Sequence, residues 1–400
     1  MYTYLIPSAY VVTYILMTLM LHGLFLFAFP AYRDNKGFAV AVVLLLLIGV
    51  LPPVLGAFLP DSAFKFFMMR IGNVILGFLF YLILLELAAW LLLLLIFLFG
   101  SGKREALMAA ARVLLAVVCL GTILVNAYGL VHAQDVKVHS LDVTIDKELK
   151  ADLGDRPLKV VLLGDLHMSV NSHPETMQKM VDLVNAQDAD LVLTAGDFLT
   201  STYYGLREPE VYQEILKGIK ARYGSYGVYG NHDVEEPLFG GFPMTAVEDA
   251  VRSKEVTDFI CGCGMEVLSD EVVKVVDDSI VLVLREDGEK SGRGTEERLT
   301  ASELMKGIDT SLPVLVLEHE PVDYKNLKAN GADLALSGHT HAGQMFPATL
   351  FTSFFNENNY GFKVVDDLQT VVTSGVGYYG PPLRVGCDSE IMVVNVYFKK

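Results

Sequence analysis

Four long runs of almost uninterrupted apolar residues, roughly Leu5 to Phe29, Phe38 to Leu59, Val74 to Phe99 and Val113 to Val131, fill the first third of the chain. Each reaches or approaches the ~20 residues that a helix needs to cross a bilayer core. A membrane interior accepts only backbone whose polar groups are satisfied internally, so the runs are expected to be spanning helices, with Pro52 and Pro53 at most kinking the second. Buried helices of a soluble protein seldom run this long without charge. The mean hydropathy of +0.41 therefore reflects a localised excess rather than a greasy chain throughout.

Charge divides the sequence at the same place. Seven of the 31 Lys and Arg residues and four of the 47 Asp and Glu residues precede Gln134, so the remainder is strongly acidic. Such a surface argues against nucleic acid as a partner. It does not exclude a polyanionic substrate, because bound metal ions can invert the charge at a site. Arg33, Lys36, Lys103, Arg104 and Arg112 flank the first and third loops, against Lys65 and Arg70 in the second. This bias predicts a plasma-membrane protein with those two loops in the cytoplasm and an extracytoplasmic C-terminal domain. Glu86, inside the third run, is costly unless paired or near water and is a functional-site candidate by default. His22 and Asn126 read as interhelical hydrogen-bonding groups. The four cysteines read as ordinary thiols, since Cys261 and Cys263 lack C-x-x-C spacing.

From about Asp135 the pattern becomes α/β. Residues 1–133 form the membrane region, 134–157 a linker with a first strand in DVKVHSLDVTID, and 158–400 a separate domain. Within that domain LKVVLLGD, DADLVLTAGD, YGSYGVYGNHD, LPVLVLEHEP and ADLALSGHTH each read as a short buried strand running into a loop. A helix is expected from Pro174, with Met177, Met180, Val181 and Val184 on its buried face. Another is expected around Thr245 to Phe259, with strands near Val272–Val276 and Ile280–Leu284. The mixed charges of REDGEKSGRGTEER read as a solvated surface loop.

Open α/β sheets place their sites at the ends of strands, and five of the nine histidines fall there: His167, His232, His319, His339 and His341. In an extended segment residues i and i+2 point the same way, so Asp165 with His167 could hold one metal. His339 and His341 have the same spacing and could each serve a different, neighbouring ion. Asp197 could span both ions, Asn231 offers an amide oxygen and His319 another imidazole. Seven such ligands describe two cations about 3.5–4 Å apart, the arrangement used in phosphoryl displacement. Mixed nitrogen and oxygen ligation suits Mn, Fe, Zn, Co or Ni better than Ca.

The series GDLH, GD, GNHD, EHEP and GHTH resembles the calcineurin-like metallophosphoesterase superfamily over about Leu158 to Tyr397. With the four preceding spans and the terminal SGVGYYGPPLRVG, the chain is similar to a membrane-associated bacterial branch related to UDP-diacylglucosamine pyrophosphatases and transmembrane metallophosphoesterases. The resemblance implies a β-sandwich flanked by helices with a dinuclear metal site at strand ends. It implies Asp165, His167, Asp197 and His341 at a first metal, and Asp197, Asn231, His319 and His339 at a second. His232 would contact the phosphoryl oxygen or protonate the leaving group, and the nucleophile would be a hydroxide held between the two ions. The implied activity is hydrolysis of a phosphoester or pyrophosphate, with a lipid-linked substrate as one candidate. The alternative reading is a membrane sensor or scaffold that binds a phosphorylated ligand without turnover. Thr200 stands where many relatives carry an Asp that supports the catalytic His, and Asp233 is the candidate substitute. Ala342 replaces a frequent Gly, a small change if φ there is not positive. Arg384 is a candidate for phosphate contact or for a structural role.

Overall fold

The structure, a computed structural model, describes residues 2–100, 103–201, 203, 205–239, 242–244, 250–293 and 296–399. It divides into two compact units. The first contains α1 (Tyr2–Ala28), α2 (Lys36–Phe58), α3 (Ala63–Phe99) and α4 (Arg104–His132). Among the described residues these four helices are long and apolar enough to cross a membrane. Small residues let them approach closely: a Cβ on Gly56 would lie 2.9 Å from the Met69 nitrogen, and one on Gly72 2.9 Å from the Pro53 Cα.

Two later stretches, Pro237–Met244 and Gly380–Leu383, belong to this helical unit. The first forms a two-stranded hairpin whose Phe239 ring packs 5.2 Å from that of Tyr10. Glu86 is fully buried, and neither carboxylate oxygen has a hydrogen-bond partner among the described residues. Asn126 differs from expectation. Its amide donates to the Thr122 carbonyl of its own helix at 2.8 Å, so the bond lies within α4 rather than between helices.

The second unit holds β1 (Lys137–Glu148), β2 (Leu158–Leu163), α5 (Pro174–Asn185), β3 (Leu191–Ala195), α6 (Pro209–Leu216) and β4 (Ser225–Val228). After the hairpin, β5 (Leu238–Phe239) and β6 (Phe242–Pro243), come α7 (Lys254–Cys261), β7 (Glu266–Val267), β8 (Glu271–Val275) and β9 (Ile280–Leu284). The chain continues through α8 (Ala301–Leu304), β10 (Val314–Leu317), α9 (Tyr324–Ala329), β11 (Leu334–Ser337), β12 (Gly361–Val365), β13 (Leu368–Val372) and β14 (Glu390–Lys399). One six-stranded sheet has the order β1-β14-β2-β3-β4-β7 and the other β12-β13-β11-β10-β9-β8.

Alternation along the strands builds three layers of core. Val160, Leu162, Leu193 and Ala195 of the first sheet meet Leu282, Leu315, Leu317, Leu334 and Leu336 of the second, forming the interior of a sandwich. Their neighbours Val161, Leu163 and Val192 face outward onto Met177, Met180, Val181 and Val184 of α5. Tyr324 and Leu327 of α9 cover the outer face of the second sheet. The central strands, apolar on both faces, pair in parallel, as sheets covered on both sides do.

Two expectations are corrected. The helix placed around Thr245 to Phe259 is α7, beginning at Lys254 after a Ser253 cap that accepts from Val256 N; residues 245–249 lie outside those described. The charged loop after β9 is solvated only in part, with Gly288, Glu289, Arg293, Glu296 and Glu297 exposed as expected. Arg285, Glu286, Asp287, Lys290 and Ser291 are all buried, because their charges are matched from elsewhere: Arg285 by Glu318 at 2.7 Å and Glu286 by Arg252 at 3.0 Å.

Candidate metal centre

The loops after β2, β3, β4, β10 and β11 carry the side chains singled out in the sequence, and the fold brings these together. Donor atoms of Asp165, His167 and His341 lie within 4.8 Å of one another, as do those of Asp165, Asp197 and His319. His167 Nε2 is 3.0 Å from His341 Nε2 and 3.4 Å from Asp197 Oδ2. His319 Nε2 is 3.2 Å from the same Asp197 oxygen, 3.0 Å from Asn231 Oδ1 and 3.2 Å from His339 Nδ1. Asp197 Oδ2 thus lies between two clusters, one with His167 and His341, the other with Asn231, His319 and His339.

The route to this convergence is not the extended one. Asp165, His167, His339 and His341 have φ of 53°, 44°, 69° and 49°, so each pair meets through left-handed turns rather than along a strand. Such conformations cost about 1–3 kcal/mol each in non-glycine residues and persist where surrounding structure enforces them. Here the enforcement is visible: both Asp165 carboxylate oxygens accept from His339 N, at 3.0 and 3.1 Å. Gly196, at φ 77°, is needed for space as well, because a Cβ there would come 2.6 Å from Gly230 N.

Ring orientation is fixed from behind. His319 Nδ1 donates to the Ala195 carbonyl at 2.7 Å, which turns Nε2 toward Asp197, and His167 Nδ1 meets Thr200 Oγ1 at 3.1 Å. Metal-ligating imidazoles are typically held this way. The amide of Asn231 donates to Glu289 at 2.8 Å, leaving its oxygen for the site.

Electrostatics suit cations. Burial pushes His167 and His339 down to about 4 and His341 well below the ordinary imidazole value, so these rings are neutral with a lone pair available. Burial alone would raise Asp197, but the imidazoles of His319 and His232 hold it well below the usual carboxylate range. Burial opposes a proton on His319, yet Asp197 and Asp165 raise it well above its ordinary value; the same carboxylates would favour a metal in the proton's place. Two imidazole nitrogens 3.0 Å apart beside buried carboxylates form a donor set that fits divalent metal ions.

Comparison with known proteins accords with this geometry. Residues 158–343 match the family model described as calcineurin-like phosphoesterase. That stretch is a calcineurin-like phosphoesterase domain. The chain is 31% identical over 294 residues to a transmembrane protein with metallophosphoesterase domain from Danio rerio, covering 70% of this chain and 61% of the relative. The counterpart of the same description in Bos taurus is 29% identical over 308 residues, covering 72% and 62%. A metallophosphoesterase of Helicobacter pylori is 28% identical over 244 residues, covering 60% of each. The matches span about three fifths of these relatives' lengths.

One aromatic residue beside the cluster, Tyr379, escaped sequence reasoning, and two residues that it named, Asp233 and Arg384, take other roles. Tyr379 stacks on His232 with ring centroids 4.5 Å apart, and its backbone is pinned on both sides by Gln344, at 2.8 and 2.9 Å. Gln344 ends the GHTHAGQ motif, so a link to a later aromatic could have been sought. Asp233 does not support the His232 ring: its oxygens accept from Leu199 N and Gly230 N at 3.0 and 2.9 Å. Arg384 resolves as structural. It is fully buried and donates to the carbonyls of Ser374 and Gly375 at 2.7 and 3.1 Å, with His341 Nδ1 at 3.4 Å.

Proposed function

We propose that the protein is a membrane-anchored phosphoesterase that holds two divalent cations and hydrolyses a phosphoester or pyrophosphate. The observation that carries the reading is the convergence of Asp165, His167, Asp197, Asn231, His319, His339 and His341 on a shared carboxylate. Asp165, His167 and His341 would hold one cation and Asn231, His319 and His339 the other, with Asp197 between them. When bound, such a pair supplies Lewis acidity toward phosphoryl oxygens and lowers the pKa of water. The protein's own part is to orient the reactants. His232, whose backbone N–H donates to Asp197 Oδ1 at 2.8 Å, stands beside the cluster to meet a phosphoryl oxygen or the leaving group. Tyr379, stacked on that ring, excludes water from one side.

The metal is one of Mn, Fe, Zn, Co or Ni, with Mn the first to test. Anchoring by the helical unit gives membrane lipids a high effective concentration at the domain, so a lipid-linked phosphate or pyrophosphate is the substrate class of choice. The basic residues of the first and third loops favour a plasma-membrane protein with an extracytoplasmic catalytic domain. Purified protein should hydrolyse an aryl phosphodiester when given one of these metals, and Asp197→Asn should lower kcat at least a hundredfold, about the effect of losing one key electrostatic group. Absence of turnover with all five metals, or wild-type rates in Asp197→Asn, would reject the reading.

A further inference from the structure

His232 Nδ1 lies 2.7 Å from Ser201 Oγ, and Ser201 Oγ donates to Glu236 Oε1 at 2.9 Å. Glu236 is in turn paired with Lys290 Nζ at 2.7 Å, and all four side chains are buried. The single hydroxyl proton of Ser201 is committed to the carboxylate. Its oxygen is therefore an acceptor toward the imidazole, which requires the proton on Nδ1 and leaves Nε2 as the nitrogen that takes up a proton and gives it back, so the ring acts as a general acid only as the imidazolium. The two loops are also zipped along their backbones, with Ser201 N donating to His232 O at 2.8 Å and Glu236 N donating to Ser201 O at 3.0 Å. Tyr379 confines the ring from its face.

From this geometry we infer that Ser201, Glu236 and Lys290 form a positioning relay for His232, taking the place of a direct carboxylate contact. The inference rests on the reading that His232 meets the substrate. Thr200, which occupies the position of the missing Asp, is turned instead to His167, and Asp233 is spent on backbone N–H groups. A carboxylate one hydroxyl away still fixes the tautomer, and Lys290, in the buried part of the charged loop, fixes the carboxylate.

The test uses full-length protein in nanodiscs with 15N-labelled histidine. Ser201 has φ 51°, a conformation that strains threonine but suits glycine, so Ser201→Gly removes the hydroxyl without forcing the backbone. Glu236→Gln is the second variant, preserving shape while removing charge. Two-bond 1H–15N correlations should show His232 protonated at Nδ1 in the wild type, and a mixed or Nε2-protonated ring in Ser201→Gly. With metal content and Tm unchanged, kcat should fall about tenfold or more, with KM little altered, and the loss should be larger for an alkyl than for a nitrophenyl ester. An unchanged tautomer in Ser201→Gly, or equal losses for both esters, would overturn the relay. A wild type inactive on every ester would instead reject the functional reading, while the tautomer measurement still decides the relay's geometry.

Discussion

Ala342, between His341 and Gly343 in a loop that carries two candidate metal ligands, has φ 49°. Its methyl group is therefore a source of strain, because the condition under which replacing a frequent Gly is a small change, a φ that is not positive, is not met. A left-handed L-residue costs about 1–2 kcal/mol, part of which is offset by the lower unfolded-state entropy of Ala relative to Gly. Ala342→Gly should raise stability by about 0.5–1 kcal/mol, read from denaturant midpoints at an unchanged m-value. A destabilised variant would show that the conformation is not strained. The candidate ligand residues were legible because each lies within a local motif: an apolar strand, a Gly or an acidic residue, then Asp, His or Asn. Ser201, Glu236 and Lys290 were not. A serine beside a bridging carboxylate has no distinguishing pattern until folding brings its partners to it, and here Glu236 lies 35 positions beyond Ser201 and Lys290 another 54 beyond Glu236.

At the scale of elements, the five site-bearing strands and α5 follow from apolar runs and helical periodicity, and the structure has them where those patterns lie. The loop after β9 was misread in part because charge composition predicts exposure, whereas the burial of its Arg285, Glu286 and Lys290 depends on countercharges supplied by Glu318, Arg252 and Glu236. The start of β3 is tied down in a comparable way: Asp190 accepts from Arg156 Nη2 at 2.8 Å and from Lys159 N at 2.9 Å. Burial alone would raise the Asp190 carboxyl, but the bonds from Arg156 and Lys159 hold it below its ordinary value. Its folded pKa is thus below the unfolded value of about 3.9. The stabilisation is fully present above about pH 4 and is lost as pH falls through the lower, folded pKa. Arg156→Ala should cost about 0.5–1 kcal/mol at pH 7, modest because Arg156 is half-exposed, and the difference from wild type should shrink in acid. A cost independent of pH would mean that packing, not charge, explains it. In α3, Glu86 leaves both oxygens without hydrogen-bond partners among the described residues. Burying an unpaired polar group costs about 1–3 kcal/mol, so Glu86→Leu should stabilise the helical unit by a comparable amount in detergent unfolding. A destabilised variant would instead show that Glu86 has a ligand.

On the scale of the whole molecule, the four spans and the acidic α/β remainder were apparent from hydropathy and charge alone. The assignment of Pro237–Met244 and Gly380–Leu383 to the helical unit was not, since such short stretches are too brief to carry a period. Both follow closely on residues at the centre: Glu236 precedes the first and Tyr379 the second. The proposed chemistry requires that the phosphoesterase domain hold two cations. Metal analysis of the full-length protein, loaded with Mn and freed of excess, measures that directly. Two ions per chain in the wild type, falling to one or none in Asp197→Asn with the fold retained, is the predicted result; a wild type that retains no metal, or an Asp197→Asn variant that keeps both ions, would contradict it.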